Sequence, residues 1–274
     1  MPELPEVKHH AEKLSSLCKD LKLESIIIRQ GPYMASEKSK YQSFRNSVLE
    51  YKPHLITNVK TKGKYMYFVL DGEQYHALGI HHGMEGSWCD DSTNKHIILE
   101  LHFSIGKTVF FQDSRRFGTF SFLSKDELEE KLRELGPDVF DEIEDCEELK
   151  LLIRSTKRIQ KKKLCEAIVD QSFISGIGNY LRADIMYQAK LNPVRLINSL
   201  LDVELDQLFS AIKSVVKKSY ESKATTTGVY TSSIHYGSYE FLIYGKKESP
   251  LGSSIESFKD RQKRTVWWVP THQK

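Results

Sequence analysis

At 274 residues, 39% hydrophobic and 28% charged, the chain has the length for two domains and the composition of a folded protein, which excludes a disordered polypeptide. With 40 Lys and Arg against 37 Asp and Glu the net charge is only +3, so any polyanion-binding surface must come from local clustering. Cys18, Cys89, Cys146 and Cys165 are scattered without a C-x-x-C pair, the apolar runs are too short for a bilayer, and the N-terminus lacks the pattern of a targeting segment. A reduced, intracellular protein with structural thiols and no cysteine-based zinc site is expected.

Residues 2–19 read as an amphipathic helix, with Leu4, Val7, Ala11, Leu14, Leu17 and Cys18 at three- and four-residue spacing. Short β-branched and aromatic runs follow at 24–29, 55–61, 65–70, 74–81, 96–103, 108–112 and 119–123, the spacing of a β-sandwich or barrel. The polar stretch 31–45 reads as a loop. From residue 124 the period turns helical: Leu128, Leu132 and Leu135 mark a helix that Gly136-Pro137 stops. The acidic stretch 138–148 reads as a solvated linker, and helical patterns then cover 147–155, 162–170, 180–188 and 202–222. Residues 224–238, rich in Thr, Ser, Gly and Tyr, read as a mobile loop. A strand is expected at 239–246, then a small hairpin ending in Val266-Trp267-Trp268-Val269-Pro270. The fold class expected is α+β in two domains. A β-sandwich domain takes 1–124, a linker 125–149, a helical domain 150–223, the loop 224–238 and a hairpin module 239–274.

Several stretches carry chemistry. Once Met1 is removed, Pro2 becomes an N-terminal secondary amine beside Glu3. An α-amino group titrates at about 7.7–8.0, against about 10.4 for lysine, so a useful fraction is an unprotonated nucleophile at neutral pH. Such an amine attacks an anomeric carbon to give an iminium; the same residues also make an ordinary helix first turn. Lys62-Gly63-Lys64 places an ammonium at a strand entry. His81-His82-Gly83-Met84-Glu85-Gly86-Ser87 sets a methionine between glycines, with no third ligand to make the two histidines a metal site. Asp113-Ser114-Arg115-Arg116-Phe117-Gly118 has the composition for insertion into a duplex, where Arg bonds an orphaned base and Phe wedges between steps; as a surface turn, its Arg would pair with Asp113. The segment Asp170-Gln171 to Gly176-Ile177-Gly178-Asn179 precedes a helix, with Lys157, Arg158, Lys161, Lys162 and Lys163 ahead of it. It lacks the strand and third glycine of a dinucleotide site and fits a helix–turn–helix gripping phosphate. Arg264 belongs near the tip of the last hairpin.

Taken in order, these stretches, with Leu135-Gly136-Pro137 and Tyr244-Gly245-Lys246-Lys247, resemble the formamidopyrimidine-DNA glycosylase/endonuclease VIII family nearly end to end. The resemblance implies an N-terminal helix plus β-sandwich, then a helix–two-turns–helix domain with a C-terminal finger hairpin. It implies a base-excision-repair DNA glycosylase with AP lyase activity, acting as a monomer on damaged double-stranded DNA, with β,δ-elimination. On that reading Pro2 is the nucleophile and Glu3 the acid/base; Glu6 supports the pocket, and Lys64 and Arg264 contact phosphates and assist elimination. Met84, Arg115 and Phe117 match the residues that fill the void left by a flipped nucleotide, while Asn179 and His96 match backbone contacts; Lys161, from the basic run ahead of the turn, is expected to bind DNA as well. The tail departs from the family: most members end in a four-cysteine zinc finger, and no cysteine follows Cys165. It looks like the zincless finger of some members, with Trp267 and Trp268 packing in place of the metal, so no zinc or other cofactor is expected. A catalytically silent DNA-binding relative is the alternative, as is a preference for oxidised pyrimidines or hydantoins over 8-oxoguanine.

Overall fold

The computed structural model describes residues 2–35, 37–224 and 239–274, which fall into two units, one taking the chain through Arg133 and the other beginning at Glu134. The first starts with α1 (Leu4–Cys18), whose Leu4, Val7, Ala11, Leu14 and Cys18 are buried on one face and packed on the sheet. After β1 (Lys22–Ile28) come α2 (Pro32–Ala35) and α3 (Ser39–Leu49), then the strands β2 (His54–Lys62), β3 (Tyr65–Leu70), β4 (Ala77–His81), β5 (Ser87–Cys89), β6 (Ile97–Phe103), β7 (Lys107–Gln112) and β8 (Thr119–Leu123). Every pairing is antiparallel, in the order β5-β7-β6-β1-β2-β3-β4-β8.

The seam between β1 and β2 is only two pairs long, Lys22 with Leu55 and Leu23 with His54. The ladder is therefore two four-stranded sheets joined at a corner. Leu23, Leu99, Leu101 and Phe111 from one and Ile56, Phe68, Leu78 and Phe120 from the other share one apolar core with α1, the sandwich arrangement expected.

Residues 31–45 do not form the expected loop. They fold into α2 and most of α3 because Tyr33 and Phe44 are buried against Phe120, with ring centroids 5.5 and 5.6 Å away. Burying such a ring contributes about 1.5–3 kcal/mol, enough to override a polar local composition. Strand β5 was also unmarked, since three residues hold no periodicity.

The second unit contains α5 (Cys146–Ser155), α6 (Leu164–Ala167), α7 (Asn179–Gln188), α8 (Asp202–Ala224), and a hairpin of β9 (Glu256–Lys259) with β10 (Thr265–Trp268). The stretch 125–149 is divided: α4 (Lys125–Arg133) packs on β8 in the first unit, and the rest belongs to the second. The pattern at 162–170 yields only the one-turn α6, whose first two N–H groups, of Leu164 and Cys165, go to the Arg195 and Pro193 carbonyls. Residues 239–246 are not a strand. They turn around buried Asp184, which accepts from the Leu242 and Ile243 amides at 2.9 and 3.0 Å and from the Tyr239 hydroxyl at 3.0 Å. The segment 224–238, expected as a mobile loop, lies from Thr225 onward outside the described residues.

Candidate active site

Pro2, Glu3 and Glu6 are buried at the start of α1. Glu3 caps the helix, and its amide donates to the Glu6 carboxylate at 2.7 Å, within a capping box that the two residues close together. The chain preceding the helix is thereby fixed. Lys64 is half-buried at the second position of the two-residue turn between β2 and β3. Gly63 supplies the positive φ, 56°, that this turn needs at its first position. Tyr65 pairs directly with His81, which places Lys64 at the sheet end where β4 runs into the Met84 turn. Desolvation, then the charges of Lys131 and Lys64, push the His81 imidazole down to about 4, although the residue is exposed at the end of β4.

Two loops form one exposed projection. Met84 is 37% and Phe117 53% exposed, and the Arg115 guanidinium sits over the Phe117 ring at 5.3 Å. Gly83, at φ 64°, backs directly onto Phe117 and Gly118; a Cβ there would lie 2.7 Å from the Gly118 nitrogen. Ser114 donates to Glu85, a second tie between the loops. Asp113 does not pair with a loop arginine. It is buried, and its carboxylate accepts the amides of Arg115 (3.0 Å), Phe117 (2.8 Å) and Gly118 (2.7 Å). Its own amide donates to the carbonyl of half-buried His96 at 3.0 Å, which brings the predicted His96 to the base of the loop.

His82 ties this projection to α1. It is 3% exposed, neither ring nitrogen has a hydrogen-bond partner, and its ring stacks on His10 at 5.4 Å and leans on Phe111 at 5.7 Å. Burial, then the neighbouring His10 and His81, hold its pKa well below 6.5. A histidine kept neutral by the fold takes up a proton on unfolding, so the stability it permits is full above about pH 6.5 and falls as the pH drops below it. His82→Leu removes two unsatisfied nitrogens at similar volume, and we expect it to stabilise by about 1–2 kcal/mol at pH 7. It should also flatten the decline between pH 6.5 and 5 in urea unfolding; an unchanged slope would show that His82 does not titrate with unfolding.

In the second unit, Gln171 organises the turn before α7. Its amide donates to the Val169 and Ile177 carbonyls, both at 2.9 Å, and its oxygen accepts from Gly176 at 3.1 Å. Asn179 is the first residue of α7 and accepts from Arg182. A guanidinium only donates, so the Asn179 oxygen must face it and the amide nitrogen points the other way. Of the basic run ahead, Arg158 and Lys162 turn inward to Asp170 at 2.5 and 2.6 Å, while Lys161 is exposed. Burial raises the Asp170 pKa, but Lys162, Ser172 and Arg158 outweigh it and bring it to about 2.

Arg264 closes the tip of the β9–β10 hairpin. Asp260 binds its amide at 2.9 Å and its Nε at 3.0 Å, along with the Gln262 amide at 2.9 Å. Arg182 also reaches Asp260, at 2.8 Å, and it is buried to 1% exposure. Sequence reading missed Arg182 and Asp260; the available signal was a lone arginine inside the otherwise buried run of α7. Trp267 packs on Tyr244 at 4.5 Å, beside Ile243 and Val269. Cys18, Cys89 and Cys165 are buried free thiols, and burial raises their pKa values to about 12, 11 and 11, which leaves them inert.

A sandwich domain that begins on a capped, buried Pro-Glu helix, followed by a glycine-rich turn into a helix and a finger hairpin, defines the helix–two-turns–helix class of two-domain proteins. The formamidopyrimidine-DNA glycosylase N-terminal domain matches residues 1–120 and the H2TH domain of the same enzymes matches 135–231. The chain belongs to the formamidopyrimidine-DNA glycosylase family. It is 30% identical over 258 residues to the formamidopyrimidine-DNA glycosylase of Mycoplasma genitalium, covering 91% of this chain and 87% of that one. The Listeria monocytogenes enzyme is 27% identical over 271 residues, covering 94% and 95%. In fold it resembles Lactococcus lactis Fpg solved with abasic-site DNA, at a TM-score of 0.82, 23% identity and full coverage of both chains. The same Lactococcus protein bound to DNA with an oxidised pyrimidine gives 0.81 at 23% identity, again over both whole chains.

Proposed function

We propose that this chain is a base-excision-repair DNA glycosylase with AP lyase activity, which removes oxidised bases from duplex DNA through a Schiff base on Pro2. The observation that carries this is the capped α1 start, with Pro2 and Glu3 buried ahead of it, in a chain whose relatives are named formamidopyrimidine-DNA glycosylases. With Met1 removed, the Pro2 nitrogen attacks the anomeric carbon and displaces the base, while Glu3 protonates the opening sugar oxygen. The resulting iminium accepts electrons as a C2′ proton is lost and the 3′-phosphate leaves; δ-elimination then releases the 5′-phosphate. Lys64 and Arg264 hold phosphates and assist these eliminations, and Glu6 keeps Glu3 in register.

Chemistry at an anomeric carbon requires the nucleotide outside the stack. Met84, Arg115 and Phe117 form the exposed projection that fills the void, and His96 at its base contacts the DNA backbone. Asn179 and Lys161 supply further phosphate contacts. The test is borohydride trapping: a covalent protein–DNA adduct with abasic or oxidised-base duplex is expected, and none on any such substrate would sink the reading. A lesion panel of 8-oxoguanine, formamidopyrimidines, thymine glycol and hydantoins assigns the substrate, since the 224–238 segment that would cover a base lies from Thr225 onward outside the described residues.

We propose that the tail does without the family's usual zinc. The sequence has no cysteine beyond Cys165, and among the described residues no group of three or more His, Cys, Asp or Glu is disposed to hold a metal. Purified protein should contain zinc far below one equivalent by elemental analysis, and chelators should leave adduct formation unchanged. Stoichiometric zinc would refute this account of the tail.

A further inference from the structure

Four segments of the second unit meet at one side chain. The Arg182 guanidinium, 1% exposed, donates from Nη1 to the Cys165 carbonyl at 3.0 Å and to Asp260 Oδ2 at 2.8 Å, and from Nη2 to the Thr265 carbonyl at 3.0 Å and to Asn179 Oδ1. These acceptors come from α6, the hairpin tip, the first residue of β10 and the first residue of α7. A guanidinium is a planar fork with donors at fixed angles, so it sets the directions between its acceptors as a metal sets those between its ligands. A lysine offers one flexible ammonium and cannot hold four acceptors from two nitrogens.

The charges point the same way. Asp260 is one carboxylate between two cations, Arg182 on its buried side and Arg264 on its outer side, with side chains 1% and 32% exposed. The three groups carry a net positive charge, and its exposed end is Arg264. Asp260 takes the Arg264 Nε, which leaves the paired Nη groups outside that bond on a side chain 32% exposed. The Asn179 amide, with its oxygen fixed on Arg182, presents its nitrogen. We propose that Arg182 is the positioning residue of the DNA-phosphate clamp: through Asn179 and Asp260 it presets the Asn179 amide and the Arg264 guanidinium in one geometry, in the absence of a finger metal. This rests on the reading above that Asn179 and Arg264 bind phosphate.

The test is a double-mutant cycle of Arg182→Met and Arg264→Ala, read as Kd for a duplex carrying a tetrahydrofuran abasic analogue across a salt series. Each single variant should make the plot of log affinity against log salt shallower by about 0.9, the loss of one neutralised phosphate. Adding Arg264→Ala to Arg182→Met should then change Kd by less than about twofold, because coupled residues are not additive. Arg182→Lys restores the charge without the fork and should keep the shallow slope. If Arg264→Ala costs as much in the Arg182→Met background as in the wild type, or if Arg182→Lys restores the full slope, the proposal is overturned. Should Arg182→Met fail to fold by circular dichroism, Asp260→Asn replaces it with the same two criteria. Wild-type borohydride trapping separates the two readings: binding without an adduct overturns the enzymatic reading alone, additivity with an adduct overturns this one alone, and no binding overturns both.

Discussion

Protein that retains Met1 ahead of Pro2 should give no borohydride-trapped adduct above background, on abasic or oxidised-base DNA. An amide nitrogen has no basic lone pair, so the nucleophile disappears while the fold, which begins its regular structure at Leu4, is untouched. Pro2→Gly is the sharper comparison, since it leaves a free N-terminal amine after Met1 removal. A secondary amine condenses to an iminium that is cationic at every pH, whereas a primary amine gives an imine that must be protonated to act as an electron sink. Positioned proton transfer is worth about 10²–10⁴ in rate, so Pro2→Gly should lower trapping by at least about a hundredfold. Mass spectrometry of the purified chain establishes the N-terminus, and single-turnover trapping gives the rate. Undiminished trapping with Met1 in place would move the nucleophile to another amine, the Met1 α-amine or a lysine.

The second large effect is expected at Asp113. Its buried carboxylate accepts three amides of the loop that carries Arg115 and Phe117. Hydrogen bonds to a charged group are worth about 1.5–3 kcal/mol each, but the loop can open to water when they are lost, so Asp113→Ala should cost about 2–4 kcal/mol in urea unfolding. Asp113→Asn keeps the oxygen that serves Phe117 and Gly118 or the one that serves Arg115, not both, and should fall between. If the projection fills the void in a duplex, the loss should follow the substrate. Trapping on abasic duplex should slow markedly in Asp113→Ala, and by at least tenfold less on single-stranded abasic DNA, where there is no stack to fill. Equal slowing on both would assign Asp113 to the chemistry or to the general fold.

Much of this was legible beforehand. The helix of residues 2–19 and seven of the eight sandwich strands follow from periodicities of 3.6 and 2, which are local. The chemistry proposed for Pro2 rests on equally local grounds, because an α-amine needs no burial to be nucleophilic at neutral pH. The glycines marked the tight turns, and Gly63 and Gly83 do adopt positive φ. Local composition failed where a distant partner decided the outcome. Residues 31–45 look polar, yet Tyr33 and Phe44 find Phe120 more than 70 positions away in the chain. Residues 239–246 look like a strand, yet they turn because Asp184 needs their amides.

The sequence by itself determined the order of most elements, the Pro2-Glu3 start, the glycine-rich turn ahead of Asn179 and the lack of cysteines in the tail. Each rests on residue identity or short-range pattern. Only the tertiary structure decided what holds those residues in place. Asp113 binds backbone amides instead of a loop arginine, His82 stacks on His10 across 72 positions of chain, and Arg182 meets Asp260 at a separation of 78. A buried polar side chain must find its partners wherever the fold brings them, or go without, as His82 does, and spacing along the chain holds no record of that search.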